Sequence, residues 1–302
     1  VFFCAVELHQ LSPLEFRLNG RCGDLNTCAN CSKHGRQHKA QSFTRTGQSG
    51  QSATNDRRPG TRHNAPMNLL LLLPEYRLAD DLWRIDGARY RHITDTLGLG
   101  PGDPLRAGVL DGAVGHARIV TRTDDHLTVR FHAEGEPPAP LPLTVILALP
   151  RPKMLKRIIL DATSLGVKTL VLLNSWKVDK SYWQTPELKG ELLREKMILG
   201  LEQAMDTKMP ELVLAPRFKP FVEDQLEALT AGTRKLLTHP GDYPPMPAQL
   251  DEALTLAIGP EGGWTPYEVE MLCARGFACH SLGARILRVE TASPTLVGRL
   301  LG

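Results

Sequence analysis

From residue 143 onward the sequence alternates between two periodicities, and this constrains the fold more than any other feature. Short apolar runs at 143–149, 169–173, 211–214, 234–238, 254–258 and 278–282 read as strands. Most are followed by stretches of helical spacing, at 152–165, 186–205, 220–231 and from Thr265, with a last helix at 289–301. In 152–165, Leu155, Ile158, Ile159, Ala162 and Leu165 share one face and Gly166 ends the run. Strands buried on both faces lose the polar alternation of a half-exposed sheet, and the intervening helices supply crossovers between parallel strands. The class is α/β. An open, unthreaded sheet is the default topology.

The preceding residues have a different texture. Strands are expected at Leu69–Leu73, Leu82–Ile85, Pro104–Val109, Ala113–Thr121 and His126–His132, with a helix at 87–97. Asp111-Gly112 between two of these runs is a hairpin signal. A small β-barrel with one helix therefore occupies 67–136, and the proline-rich stretch 134–142 links it to a second domain at 143–302. Residues 1–66 lack periodicity and read as a disordered or spurious extension. Within them Cys28, Cys31, His34 and His38 resemble a zinc ligand set, but no loop separates the two pairs, so no metal site is expected.

Charge narrows the partners only slightly. The chain carries a net +3, but nine of 36 basic and four of 33 acidic residues precede Met67, leaving 27 basic and 29 acidic residues beyond it. A case for RNA must therefore rest on a local face. Arg84, Arg89, Arg91 and His92 either touch phosphate or form a solvated face. Cys273 and Cys279 read as plain buried thiols. No apolar run approaches membrane-spanning length.

Two glycine bends lie close together near the C-terminus. Strand 254–258 runs into Gly259-Pro260-Glu261-Gly262-Gly263-Trp264, after which Thr265 caps a helix that opens with Pro266 and carries Glu268 at the capping-box position. Strand 278–282 ends in Gly283-Ala284-Arg285-Ile286-Leu287-Arg288-Val289-Glu290. Such bends expose backbone groups at the ends of parallel strands, where α/β proteins bind ligands. Together, Ile258–Trp264 and Leu282–Ala292 resemble the RsmE family of SPOUT methyltransferases, and the likeness extends more sparsely from about Met67.

The resemblance implies a C-terminal SPOUT α/β domain with a trefoil knot and an N-terminal PUA-like β-barrel. It implies a cytoplasmic homodimer that uses S-adenosylmethionine to methylate N3 of a uridine in 16S rRNA, with the rRNA or small ribosomal subunit as partner. Other readings are methylation of another RNA such as tRNA, or a catalytically silent RNA-binding assembly factor. By resemblance, His239, Pro240, Gly259, Pro260, Glu261, Gly262, Gly263, Leu282, Gly283, Arg285, Ile286 and Leu287 hold the cofactor. Arg288 steadies uracil or phosphate charge, and Glu290 orients it or takes a proton. Arg77, Arg84 and Arg91 are the RNA contacts on the barrel. The chain departs from the family pattern at Ser164, at Asp206 and at Asn174-Ser175-Trp176-Lys177, expected to be substrate-facing positions. Pro294 is out of place within the last helix, where it costs about 3 kcal/mol unless the helix begins there.

Overall fold

The computed structural model describes residues 68–301; the expected N-terminal extension and its Cys28, Cys31, His34 and His38 lie outside them. In chain order, β1 (Leu70–Leu72), β2 (Arg77–Ala79), β3 (Leu82–Asp86), β4 (Pro104–Val109), β5 (Val114–Arg122) and β6 (His126–Gly135) form one sheet. Between β3 and β4, α1 (Gly87–Arg91) continues into a π-helical turn, His92–Thr96. The strand order is β1-β4-β5-β6-β3-β2, with β1 parallel to β4 and every other pair antiparallel. Strand β6 runs to Gly135, so the extended link is shorter than the sequence suggests.

The second sheet contains β7 (Leu143–Ala148), β8 (Thr169–Leu173), β9 (Glu211–Ala215), β10 (Arg234–Thr238), β11 (Leu254–Ile258) and β12 (Ala278–His280), all parallel. Its order is β12-β10-β11-β7-β8-β9. Helix α2 (Pro152–Ser164) follows β7, and α3 (Gly190–Ala204) precedes β9. Helix α4 (Phe218–Pro220) leads through a π turn into α5 (Leu226–Leu229), and α6 (Pro266–Ala274) and α7 (Val289–Leu301) complete the chain. The 152–165 face is buried at Leu155, Ile158, Ile159 and Ala162, but Leu165, the residue that caps α2, is exposed.

The five leucines at 69–73 show how the two sheets are joined. Leu70 and Leu72 enter the core of the first sheet with Trp83, Ile93 and Leu127. Leu69, Leu71 and Leu73 point the other way, against Ile198 and Leu201 of α3. Successive strand side chains face opposite sides, so a strand that is buried on both must be apolar throughout. The hairpin turn between β4 and β5 adds a polar clasp. Asp111 accepts from the Met209 N–H at 2.8 Å, and its own N–H donates to the Thr207 carbonyl at 2.8 Å. Helices α2 and α3 pack so closely that a Cβ on Gly200 would lie 2.7 Å from Thr163 Cβ.

Two expectations are corrected. Ser164 and Asp206 do not face a substrate. Ser164 Oγ donates to the Leu160 carbonyl at 2.8 Å, and the buried Asp206 accepts from Lys168 Nζ at 2.5 Å and from the Lys208 N–H at 2.9 Å. Cys273 is exposed and Cys279 half-buried, as free thiols 3.4 Å apart at Sγ. Burial and the neighbouring Cys273 push the Cys279 thiol up to about 12. Helix α7 spans the expected 289–301, so Pro294 lies inside it and cannot donate the backbone bond expected at that position. Lys168→Met strands the Asp206 carboxylate in the interior and is expected to lower the unfolding free energy by about 3 kcal/mol. Urea denaturation should show a reduced midpoint at an unchanged slope.

Candidate functional site at the ends of the parallel strands

The ends of β10, β11 and β12 lie side by side and open a cavity of about 380 Å³. That size falls within the roughly 300–1,000 Å³ range of small-molecule pockets. Three chain segments line it. His239, Pro240 and Gly241 follow β10; Gly259, Pro260, Glu261 and Gly263 follow β11; Leu282–Leu287 lie between β12 and α7, whose Val289 and Ala292 close the base. Two of the glycines are needed for conformation rather than for space. Gly263 has φ +69° and closes a turn by donating to the Pro260 carbonyl at 2.8 Å, and Gly283 has φ +105°. Both values favour glycine.

The β11 bend is anchored from below. Thr265 and Glu268 form the expected capping box, with the Thr265 N–H donating to Glu268 Oε2 at 2.8 Å. The other carboxylate oxygen, Oε1, accepts from the Trp176 N–H at 2.8 Å, so a single buried glutamate ties the helix start to the loop after β8. From that loop Lys177 Nζ donates to the Gly262 carbonyl at 2.6 Å. Gly262 thus turns toward Lys177 and is not part of the cavity wall, whereas Gly263 faces His239 and Pro240. Glu261 pairs with Arg151 at 3.3 Å. Arg151 escapes sequence reasoning, and Lys177, expected at a substrate-facing position, instead supports the bend; both reach it from distant segments. Arg151 had one local signal, its place just before the Pro152 that opens α2.

His239 is the polar group of greatest interest in the wall. Its Nδ1 is buried and has no hydrogen-bond partner among the described residues. Burial and the Lys177 charge lower its pKa, which favours a neutral ring. Arg285, Ile286, Leu287 and Arg288 are all exposed, and the Arg288 guanidinium lies 3.9 Å from Glu290. The three arginines of the first sheet and its helix do not converge on this cavity. Arg77 pairs with Asp80 at 3.4 Å and sits over the Trp83 ring, Arg84 pairs with Asp86 at 3.3 Å and Asp125 at 3.4 Å, and Arg91 is exposed at the end of α1.

A larger cavity, about 700 Å³, lies between β1, α1 and α3. There Arg89 Nε donates to Glu202 at 2.9 Å, and burial raises the Glu202 pKa against the pull of that arginine. Arg194 also pairs with Glu75 there at 3.1 Å, and such pairs between the two sheets' elements suit a structural joint. The smaller cavity has strand ends, glycine bends and an unpaired imidazole nitrogen, and it is the better ligand site. The lowered His239 value makes acid destabilising. As pH falls through the ordinary histidine value of 6.5, the unfolded chain takes up the proton first and stability declines. His239→Gln is therefore expected to lose less melting temperature between neutral and mildly acidic pH than the unaltered protein does.

Comparison with known proteins identifies the family. Residues 137–301 match the model of an RNA methyltransferase domain. The chain is 33% identical over 215 residues to ribosomal RNA small subunit methyltransferase E of Treponema pallidum, covering 68% of this chain and 79% of that relative. It is 30% identical over 233 residues to the protein of the same name from Synechocystis, covering 75% of this chain and 74% of the relative. A Neisseria gonorrhoeae ribosomal RNA small subunit methyltransferase E, solved bound to S-adenosyl methionine, shares the fold. Its TM-score is 0.61 at 19% identity, over 76% of this chain and 95% of that one. With the domain match covering more than half of its length and the Treponema relative matched over most of its own, the chain belongs to the RsmE family of RNA methyltransferases.

Proposed function

We propose that the protein transfers a methyl group from S-adenosylmethionine to N3 of a uridine in 16S rRNA. The observation that carries this reading is the backbone-lined cavity at the ends of β10, β11 and β12, in a chain of this family. The cavity suits the cofactor: an unpaired buried imidazole nitrogen and three bends of exposed backbone offer polar groups to a nucleoside edge, and aliphatic walls flank them. His239, Pro240, Gly259, Pro260, Glu261, Gly263, Leu282, Gly283, Arg285, Ile286 and Leu287 would hold it, with Gly262 supporting the bend from outside through Lys177. Bound there, the cofactor supplies an electrophilic methyl whose sulfonium becomes a neutral thioether on transfer.

The chain's own residues then have two tasks. One is to hold uracil N3 in line with the methyl, since positioning alone removes several kcal/mol from such a barrier. The other is to accept the imide proton and offset the negative charge on the base. Arg288, almost fully exposed at the cavity rim, is free to swing over a bound base, and the less exposed Glu290 beside it orients the guanidinium or takes the proton.

The first sheet serves in this reading as a PUA-like RNA-binding barrel over 67–136, with Arg77, Arg84 and Arg91 toward the phosphates, and 143–302 is the SPOUT domain. A trefoil knot is supported by the crossover between β10 and β11. Its Met246 N–H donates to the Ser281 carbonyl, and its Gln249 and Leu250 N–H groups donate to the Arg299 and Leu300 carbonyls of α7. The working form is a cytoplasmic homodimer. None of the described helices is long and apolar enough to cross a membrane.

Titration calorimetry with S-adenosylmethionine tests the cavity. Gly283→Val forces a branched side chain into a left-handed backbone and is expected to weaken donor affinity at least tenfold; unchanged affinity would place the donor elsewhere. Arg288→Ala should retain donor binding and lose more than tenfold in turnover on small-subunit rRNA. Full activity would remove it from the mechanism.

A further inference from the structure

A second concave surface lies across the Gly259–Gly263 bend from the donor cavity. It encloses about 470 Å³ between the loop after β8, α4 and the start of α6. Trp176 exposes 86% of its surface and Tyr267 54%, and both line this hollow with Phe218. Large aromatic side chains left in water at one place mark a binding surface more often than scattered apolar residues do. Trp176 is also held in place: its N–H donates to the buried Glu268, the carboxylate that caps α6.

Two further features indicate what the hollow accepts. Ser175, 2% exposed, is among the lining residues, and its buried Oγ has no hydrogen-bond partner among the described residues. A hydroxyl there can both donate to and accept from a base edge. The flanking charges are cationic. Lys177 bridges to the Gly262 carbonyl at 2.6 Å, and Lys219 lines the wall, with only an exposed 3.6 Å pair to Glu223. The acid nearest the aromatics, Glu268, already accepts from the Trp176 N–H and from Thr265. Stacking faces, an unpaired hydroxyl and flanking lysines are the components of single-strand RNA recognition.

We propose that Trp176 and Tyr267 form a stacking platform for an unpaired base of single-stranded RNA adjoining the nucleotide presented to the donor cavity. Lys177 and Lys219 meet the phosphates, and Ser175 reads the base edge. The inference rests on the RNA methyltransferase reading above and assigns that enzyme a substrate-positioning surface. A second copy of the chain is the competing occupant, but the lysines at the border fit a polyanion better than a matching lysine-bordered face.

Binding of a short single-stranded oligouridylate, followed by tryptophan emission and by anisotropy of a labelled probe, tests the platform in the full chain. The unaltered protein is expected to show emission quenching. Trp176→Ala should weaken RNA binding about tenfold, Tyr267→Ser should weaken it less, and Trp176→Phe should restore most of the loss. Donor affinity measured by calorimetry should not change in any of the three. RNA affinity unchanged in Trp176→Ala, with donor binding intact, overturns the platform and leaves the methyltransferase reading standing. Sedimentation showing that Trp176→Ala converts a dimer to monomers overturns it in favour of an interface between copies. Failure of the unaltered protein to bind the donor would instead count against the enzyme reading itself.

Discussion

Burial of β1 on both faces is the constraint on which the rest of the structure depends. Its leucines alternate between the core of the first sheet and the surface of α3, so neither side can be peeled away without exposing apolar area to water. Fully burying each such side chain is worth about 1.5–3 kcal/mol. Around this strand, Arg89 with Glu202 and the Asp111 turn with Thr207 and Met209 satisfy the polar groups that the junction would otherwise strand. The hydrophobic strand supplies the adhesion, and the polar clasps fix the register.

At the other end of the parallel sheet a comparable role falls to one carboxylate. Glu268 closes the capping box of α6 and also holds the backbone of Trp176, so the glycine bend after β11 and the loop after β8 share one anchor. Lys177 completes the link by reaching the Gly262 carbonyl. The cavity at the strand ends and the aromatic hollow are therefore linked through one set of hydrogen bonds. A ligand held on one side is positioned relative to the other by a buried, hydrogen-bonded scaffold, whose unpaired alternative would be costly.

Local signals made much of this legible in the sequence. The capping box at Thr265 and Glu268 formed as its spacing requires, the Asp111-Gly112 turn joins β4 to β5, and the apolar runs became the parallel strands. The misses arose where a distant partner decided the outcome. Asp206 looked like a substrate-facing departure until Lys168 was found beside it, and nothing near residue 176 indicates that Glu268 will hold its N–H. Leu165 fitted the helical stripe but falls at the cap, where the stripe has turned away from the core. Pro294 sits inside α7 because packing of Val289, Leu296, Val297 and Leu300 outweighs one missing backbone bond.

The bonds from Gln249 and Leu250 to the carbonyls of Arg299 and Leu300 have a consequence for biosynthesis. The crossover that carries His239 and Pro240 is fastened by residues made some fifty positions later, near the end of α7. Partners so far apart meet only after slow loop closure. A nascent chain that has already produced every wall residue is therefore still an unfinished receptor. Its walls are fastened only when the later turns of α7 dock against the crossover, so closing the cavity is among the last steps of folding rather than a property of the wall residues alone.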